Sequence, residues 1–305
     1  MDKNLLIAVL MGGPGSEREV SLASGNAVLE ALVKEGLNAV PVDVPNHTLE
    51  LPEKTGLCFN VIHGTFGEDG ELQTQLKELG IPYTGAGKKS SEVAFDKLAS
   101  KELFLANNVP TPASETIDCT HGVKLPQMPL PYVIKPPREG SSVGVHIVHT
   151  EDEALAAITD AAKYGNEVLV EALIQGKELT VGILDGVALP VVHIAPRDGF
   201  YDMKNKYPWM SDEGGTDYYC PAELDAETTR KVQQAALAAH HSLGIEIYSR
   251  VDVLLDEQNN PFVLEANTIP GMTASSLLPK AAQAAGYEFG PLCQKIAELS
   301  LAERS

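Results

Sequence analysis

Residues 248–271 read YSRVDVLLDEQNNPFVLEANTIPG, two apolar, strand-like runs separated by a polar turn near residue 258. Side chains on a strand alternate between faces, so Arg250 and Asp252 share one face of the first run, and Glu265 and Asn267 share one face of the second. If the runs pair as a hairpin, Asp252 lies opposite Glu265 and Arg250 opposite Asn267, although loop length alone leaves the register open. Two carboxylates facing each other across strands repel, and the surrounding runs are too apolar for a casual solvated pair. A cation would relieve that repulsion. Oxygen-only ligands favour Mg²⁺, which also takes oxygens from phosphate groups; the plainer alternative is a solvated acidic pair.

Bulk composition narrows the classes of function. The chain has 305 residues, 44% hydrophobic and 21% charged, as in an ordinary globular protein of two or three domains. A net charge of -19 offers no basic stripe and argues against nucleic-acid binding. The four cysteines, Cys58, Cys119, Cys220 and Cys293, form no CxxC pair, which suits a reducing compartment. The apolar residues 5–11, LLIAVLM, run into Gly12-Gly13 without a cleavage site, and no stretch approaches the ~18 apolar residues of a membrane span. The expectation is a cytoplasmic protein with no membrane partner.

Organisation follows periodicity. LLIAVLM reads as a parallel strand buried on both faces. SEREVSLASGNAVLEALVKEG has helical spacing, NAVPVDV and GLCFNVIH are strand-like, and GELQTQLKELG is a helix; this alternation predicts a parallel α/β unit over residues 1–87. A single helix is expected over SSEVAFDKLASKELFLANN, then a Pro-rich connection, VPTPASE. Strands PYVIKPP and VGVHIVH flank the loop REGSS, and a helix over DEALAAITDAAKYG precedes strands EVLVEAL, ELTVGIL and VALPVVHI. Gln175-Gly176 and Asp185-Gly186 carry the chemistry of hairpin turns. A polar, aromatic loop spans about 197–220, followed by a helix, the opening hairpin and a C-terminal helix. The second half is therefore α+β.

Two further stretches bear on chemistry. In MGGPGSEREVSL, Ser16 and Glu19 form a capping box that starts a helix, and the glycines let N–H groups meet a ligand at its positive end. The dinucleotide fingerprint fails at its third glycine, where Arg18 stands, and Glu17 serves equally as a helix-start carboxylate. In YVIKPPREGSSVGVHIV, Lys135 ends a strand before a Gly/Ser-rich loop able to cradle phosphate, with an ordinary hairpin loop as the alternative. GIPYTGAGKKS is no P-loop, because Pro82 stands where glycine is required. Phosphate loop and paired acids together point to nucleotide-dependent chemistry on a fold other than the P-loop.

These residues together resemble the D-alanine–D-alanine ligases of the ATP-grasp superfamily. The matching stretches are GGPGSEREVSL, HGTFGEDGELQ, DKLASK, VIKPPREGSSVG, KYPWMSD with YYCPA, RVDV and LEANTIPGMTASSLLP, in family order across residues 12–279. The resemblance implies an N-terminal Rossmann-like α/β domain (1–87) and a two-part ATP-grasp fold (88–175 and 176–305), with ATP between the last two. It implies ligation of two D-alanines through a D-alanyl phosphate, releasing ADP and phosphate, for peptidoglycan precursor synthesis. Carried over by motif, Lys97 and Lys135 contact phosphates; Glu171, Ala172 and Leu173 hold the adenine edge; Glu178 holds the ribose. Asp252, Glu265 and Asn267 match ligands for two Mg²⁺, with Mn²⁺ able to substitute. Glu17 matches the residue binding the first ammonium, with Ser141 and Tyr207 as its partners. Arg250 and the Gly271 N–H match an oxyanion-stabilising pair. Ser276, Leu277 and Lys206 match contacts to the second carboxylate, the γ-phosphate being the alternative partner of Lys206. His63 matches an active-site residue of open role, and the family implies a homodimer. Tyr207 disfavours a depsipeptide product, and PWMSDEGGTD is longer than the family's usual lid. The rival readings are another ATP-grasp carboxylate–amine ligase, which Glu17 and Ser276 oppose, and a non-catalytic nucleotide-binding regulator, which would be expected to lack Arg250 or a metal ligand.

Overall fold

A computed structural model describes residues 1–197 and 215–304. The N-terminal unit is a parallel sheet in the order β2-β1-β3, built from β1 (Leu6–Gly12), β2 (Ala39–Val44) and β3 (Thr55–Asn60). The expected buried strand is β1, whose Ile7, Ala8, Val9 and Leu10 are fully buried. Helices α1 (Arg18–Lys34) and α2 (Glu71–Glu78) follow the periodicity. The capping box does not form: no side chain caps α1. Its entry is fixed by tertiary partners instead, since Arg18 donates to both Asp43 carboxylate oxygens at 2.9 and 2.7 Å and Glu17 accepts from Ser141.

The single helix expected over residues 90–108 is two, α3 (Lys88–Phe95) and α4 (Lys97–Ala106). Asp96 breaks it with an extended backbone and caps α4 by accepting from Leu98 N at 2.9 Å. The next sheet runs β4-β7-β5-β6, from β4 (Ser114–Asp118), β5 (Tyr132–Lys135), β6 (His146–Val148) and β7 (Glu167–Ala172), backed by α5 (Glu151–Ala161). The Pro-rich connection thus leads directly into a strand, β4, that the sequence reading left out.

The larger sheet has the order β11-β10-β8-β12-β13, with β9 on β8: β8 (Gly176–Leu184), β9 (Val187–Ala188), β10 (Val192–Pro196), β11 (Thr216–Tyr219), β12 (Tyr248–Asp256) and β13 (Pro261–Asn267). Asp185-Gly186 does turn a hairpin, with φ of 54° and 71°. Gln175-Gly176 does not, because β7 and β8 lie in different sheets and the chain crosses between them there. Gly176 has φ of 152°, and a Cβ would lie 1.9 Å from the Leu255 carbonyl oxygen; the tight approach to β12 makes glycine obligatory where a turn had been read. Within the expected loop 197–220, β11 pairs with β10, and Tyr219 sits over His193 with ring centroids 5.7 Å apart. Aromatic cross-strand pairing of this kind stabilises a strand that polar neighbours disguise.

Helix α6 (Ala226–Ser242) backs the large sheet, and two C-terminal helices, α7 (Leu277–Ala284) and α8 (Phe289–Arg304), stand where one was expected. Leu292, Ile296 and Ala297 of α8 share a core with Ile7 and Val9 of β1 and with Leu278 of α7. The C-terminal segment therefore packs back onto the N-terminal sheet and holds the intervening loop, residues 268–276, against it. Replacing Gly176 with Ala is expected to lower unfolding stability by at least about 1–3 kcal/mol, the usual range for strained backbone; urea titration followed by circular dichroism measures it.

Candidate active site

The predicted register is the observed one: Arg250 pairs with Asn267 and Asp252 with Glu265, and an irregularity follows Asp252. The repulsion expected between the two acids is removed within the protein. Arg250 donates to Asp252 from Nε at 3.0 Å and Nη2 at 2.8 Å, and Thr180 Oγ1 donates at 2.6 Å. Glu265 pairs with Lys97 Nζ at 3.0 Å, and that same ammonium donates to the Glu139 carbonyl at 2.8 Å. Burial disfavours the Lys97 charge, yet Glu265, with Glu171 and Glu68 behind it, outweighs burial and raises the lysine above its ordinary range. Facing acids by themselves therefore do not require a metal here, which corrects the repulsion argument. The donor set still fits one: Asp252, Glu265 and Asn267 are all oxygen donors on adjacent strands. Among the described residues no group of three or more acidic, His or Cys side chains is placed to hold an ion.

Two cavities meet at this pair. One, of about 580 Å³, opens between the two antiparallel sheets and is lined by Lys97, Lys135, Ser141, Asp252 and Glu265. Glu171, Ala172, Leu173 and Glu178 line it as well. The second, of about 360 Å³, is lined by Glu17, His63, Arg250, Asn267 and Gly271, with Ser276 and Leu277 at the start of α7. Gly140, Ser141 and Glu265 belong to both. The larger cavity, with its lysines, is thereby continuous with a smaller chamber lined by polar and charged groups. Lys206 and Tyr207 lie outside the described residues.

Burial and charge distinguish the individual groups. Glu171 is buried, one oxygen held by Lys101 Nζ at 2.5 Å and the other by Lys135. Burial works against its ionised form, but the two ammonium groups win and hold the carboxyl below the usual range. Lys135 thus spends one N–H on Glu171 while it lines the phosphate loop. In that loop Ser141 and Ser142 take left-handed φ of 51° and 62°, and the Ser141 hydroxyl donates to Glu17. A Cβ on Gly140 would come within 3.0 Å of Glu17, so the loop is seated on the N-terminal unit.

His63 acquires a structural role. Burial lowers its imidazole below the ordinary range, despite Glu17, so the ring is neutral at pH 7. Its Nδ1 lies 2.8 Å from the Ile269 carbonyl and its Nε2 3.3 Å from Ser24 Oγ, which accepts from Met272 N at 3.3 Å. These bonds bracket Gly271, which lines the second cavity. Residues missed in the sequence include Lys101 and Glu68. Lys101 follows Lys97 by one helical turn in DKLASK, and that spacing puts both on one face. Glu68 lies within HGTFGEDGELQ, five residues after His63, and it lines the second cavity.

Comparison with known proteins agrees with this layout. The family described as D-ala D-ala ligase C-terminus matches residues 114–298. The chain belongs to the D-alanine–D-alanine ligase family. A relative of that name from Methylacidiphilum infernorum (isolate V4) is 50% identical over 294 residues, 96% of this chain and 95% of the relative. The crystal structure of D-alanine–D-alanine ligase from Bacillus anthracis superposes with a TM-score of 0.86 at 35% identity, covering 98% of each chain. A D-alanine–D-alanine ligase from Bacillus anthracis complexed with ATP gives 0.85 at 33% identity, again covering 98% of each chain. The two-sheet arrangement is accordingly the ATP-grasp fold of the ligase family.

For this family member, Lys101→Met is expected to destabilise by at most about 3–5 kcal/mol, because Lys135 keeps one ammonium on Glu171. It should also raise the KM for ATP several-fold; chemical denaturation and initial rates give the two numbers.

Proposed function

We infer that the protein is an ATP-dependent ligase joining two D-alanines into D-alanyl-D-alanine, with ADP and phosphate as the other products, for cell-wall synthesis. The observation that carries this reading is the meeting of the two cavities at Glu265 and Ser141. A nucleotide in the larger cavity presents its terminal phosphate to an amino-acid carboxylate in the smaller one.

Each role then follows from charge. Carboxylate attack on the γ-phosphate brings anion to anion, so lysines must neutralise and align the groups. Lys97 and Lys135 serve the phosphates, the segment Glu171–Ala172–Leu173 takes the adenine edge, and Glu178 takes the ribose hydroxyls. Asp252, Glu265 and Asn267 would hold Mg²⁺, two ions being proposed; Mg²⁺ would supply charge neutralisation to the triphosphate, and Mn²⁺ could replace it. Glu17, steadied by the Ser141 hydroxyl, receives the ammonium of the first D-alanine. The D-alanyl phosphate so formed must be kept from water, a task assigned to Lys206 and Tyr207. When the second amine attacks, Arg250 and the Gly271 N–H meet the developing oxyanion. Among the described residues no acceptor occupies that N–H, which leaves it available. Ser276 and Leu277, at the N-terminus of α7, receive the second carboxylate together with Lys206. Residues 1–87, 88–175 and 176–305 are proposed as substrate-binding, central and C-terminal units, and the working species as a homodimer in the cytoplasm.

Phosphate release with ATP, Mg²⁺ and D-alanine tests the activity; turnover with a different amino acid but none with D-alanine overturns it. Glu265→Gln is expected to reduce turnover by at least about a hundredfold, on the scale of losing a preorganised charged group, while the circular dichroism spectrum is retained. Wild-type-like turnover in that variant removes the metal assignment.

A further inference from the structure

A ligase for two free amino acids must bind two ammonium groups, and the assignments above provide a carboxylate for one. The second cavity contains three carboxylates: Glu17, Glu68 and Glu265. Glu17 accepts from Ser141, and Glu265 is paired with Lys97. Glu68 differs from both. Its Oε2 accepts from Gly64 N at 2.6 Å and its Oε1 from Ile269 N at 3.3 Å, and among the described residues no cation pairs with it. Both of these partners are backbone amides. They join the loop after His63 to the loop carrying Gly271, so the carboxylate is fixed in the wall between the Glu17 and Gly271 sides of the chamber.

We propose that Glu68 binds the ammonium of the second D-alanine, the group that becomes the nucleophilic amine of the ligation once it has lost a proton. The inference rests on the ligase reading of this cavity. Its neighbours fit the assignment. His63 is neutral with both ring nitrogens engaged, so it does not compete for a cation. Arg250, the nearest guanidinium lining the chamber, is held on Asp252. The proposed acceptor of the second carboxylate, at Ser276 and Leu277, lines the same chamber, so a zwitterion spans from α7 to Glu68 with its nitrogen beside the Gly271 loop. Burial, then the charge of Glu17, pushes the Glu68 carboxyl up to about 8. A half-buried carboxylate with no cation in direct contact behaves this way, and an incoming ammonium provides a close counter-charge. The same requirement disfavours acceptors that lack an amine: a 2-hydroxy acid would leave Glu68 facing an uncharged hydroxyl.

The test is Glu68→Gln, which keeps one carbonyl-type acceptor for the backbone amides and removes the charge. Formation of D-alanyl phosphate is read by exchange of labelled oxygen between the βγ-bridge and non-bridge positions of ATP in the presence of D-alanine. Ligation is read from dipeptide formed as a function of D-alanine concentration, resolved into first- and second-site KM. The expected result is a second-site KM raised about 10- to 100-fold, the scale of a hydrogen bond to a charged group, with oxygen exchange and first-site KM within about twofold. An unchanged second-site KM overturns the proposal, as does equal loss of exchange and ligation in a folded variant, which would make Glu68 a loop brace only. If Glu68→Gln does not fold, Glu68→Asp keeps the charge and shortens its reach; a raised second-site KM with exchange intact supports the proposal, and wild-type values overturn it. Absence of ligation by the wild-type protein itself overturns the ligase reading, and this inference with it.

Discussion

Paired charges held out of water at the junction of two cavities are the constraint on which the rest of this structure depends. Arg250 with Asp252 and Lys97 with Glu265 place two cations and two anions on neighbouring strands and one helix end. Breaking either pair would leave a partly buried charge uncompensated, a large penalty beside the few kcal/mol that hold a domain folded. The hairpin register, the Asp96 cap that begins α4 at Lys97, and the seating of the phosphate loop on Glu17 all serve to keep those four groups in place.

A second constraint is that three separate stretches of chain must converge on one small chamber. The wall formed by residues 268–276 is held by α8 packing on β1, and by His63 and Ser24 reaching across from the N-terminal unit. The position of Gly271 therefore depends on apolar contacts among Ile7, Leu292 and Ile296, none of which lines the chamber.

Much of this was legible in the sequence where the determining interactions are local. The pairing of Arg250 with Asn267 and of Asp252 with Glu265 was legible because Val251 and Val253 alternate with the first two and Ala266 separates the second two, and a one-residue slip would send every side chain to the opposite face. Asp185-Gly186 was read correctly because its left-handed backbone is a property of those two residues. What could not be read depends on distant partners. Gln175-Gly176 has the composition of a turn, and only the approach of Leu255 reveals a crossing between sheets. Ser16 and Glu19 have the spacing of a capping box, yet Asp43 and Ser141 decide how α1 begins. The cations that neutralise the acidic pair come from elsewhere in the chain for Glu265 and from the same strand for Asp252, so strand alternation alone overstated the repulsion. Lys101 was within reach, since helical spacing from Lys97 points to it; Glu68 becomes conspicuous only when its neighbours prove to be occupied.

Helix α4 carries both Lys97, at the acidic pair, and Lys101, at Glu171, one turn apart and thus separated by about 6 Å along a rigid axis. Two parts of the larger cavity's wall are thereby fixed to a single gauge. On the proposed nucleotide reading, a shift of the helix that improves the fit at one of them displaces the contacts at the other, so base recognition and phosphate alignment would be set by one mechanical part. Selectivity for the purine and efficiency at the phosphate should therefore rise and fall together in variants that move α4, even where no substituted residue touches either.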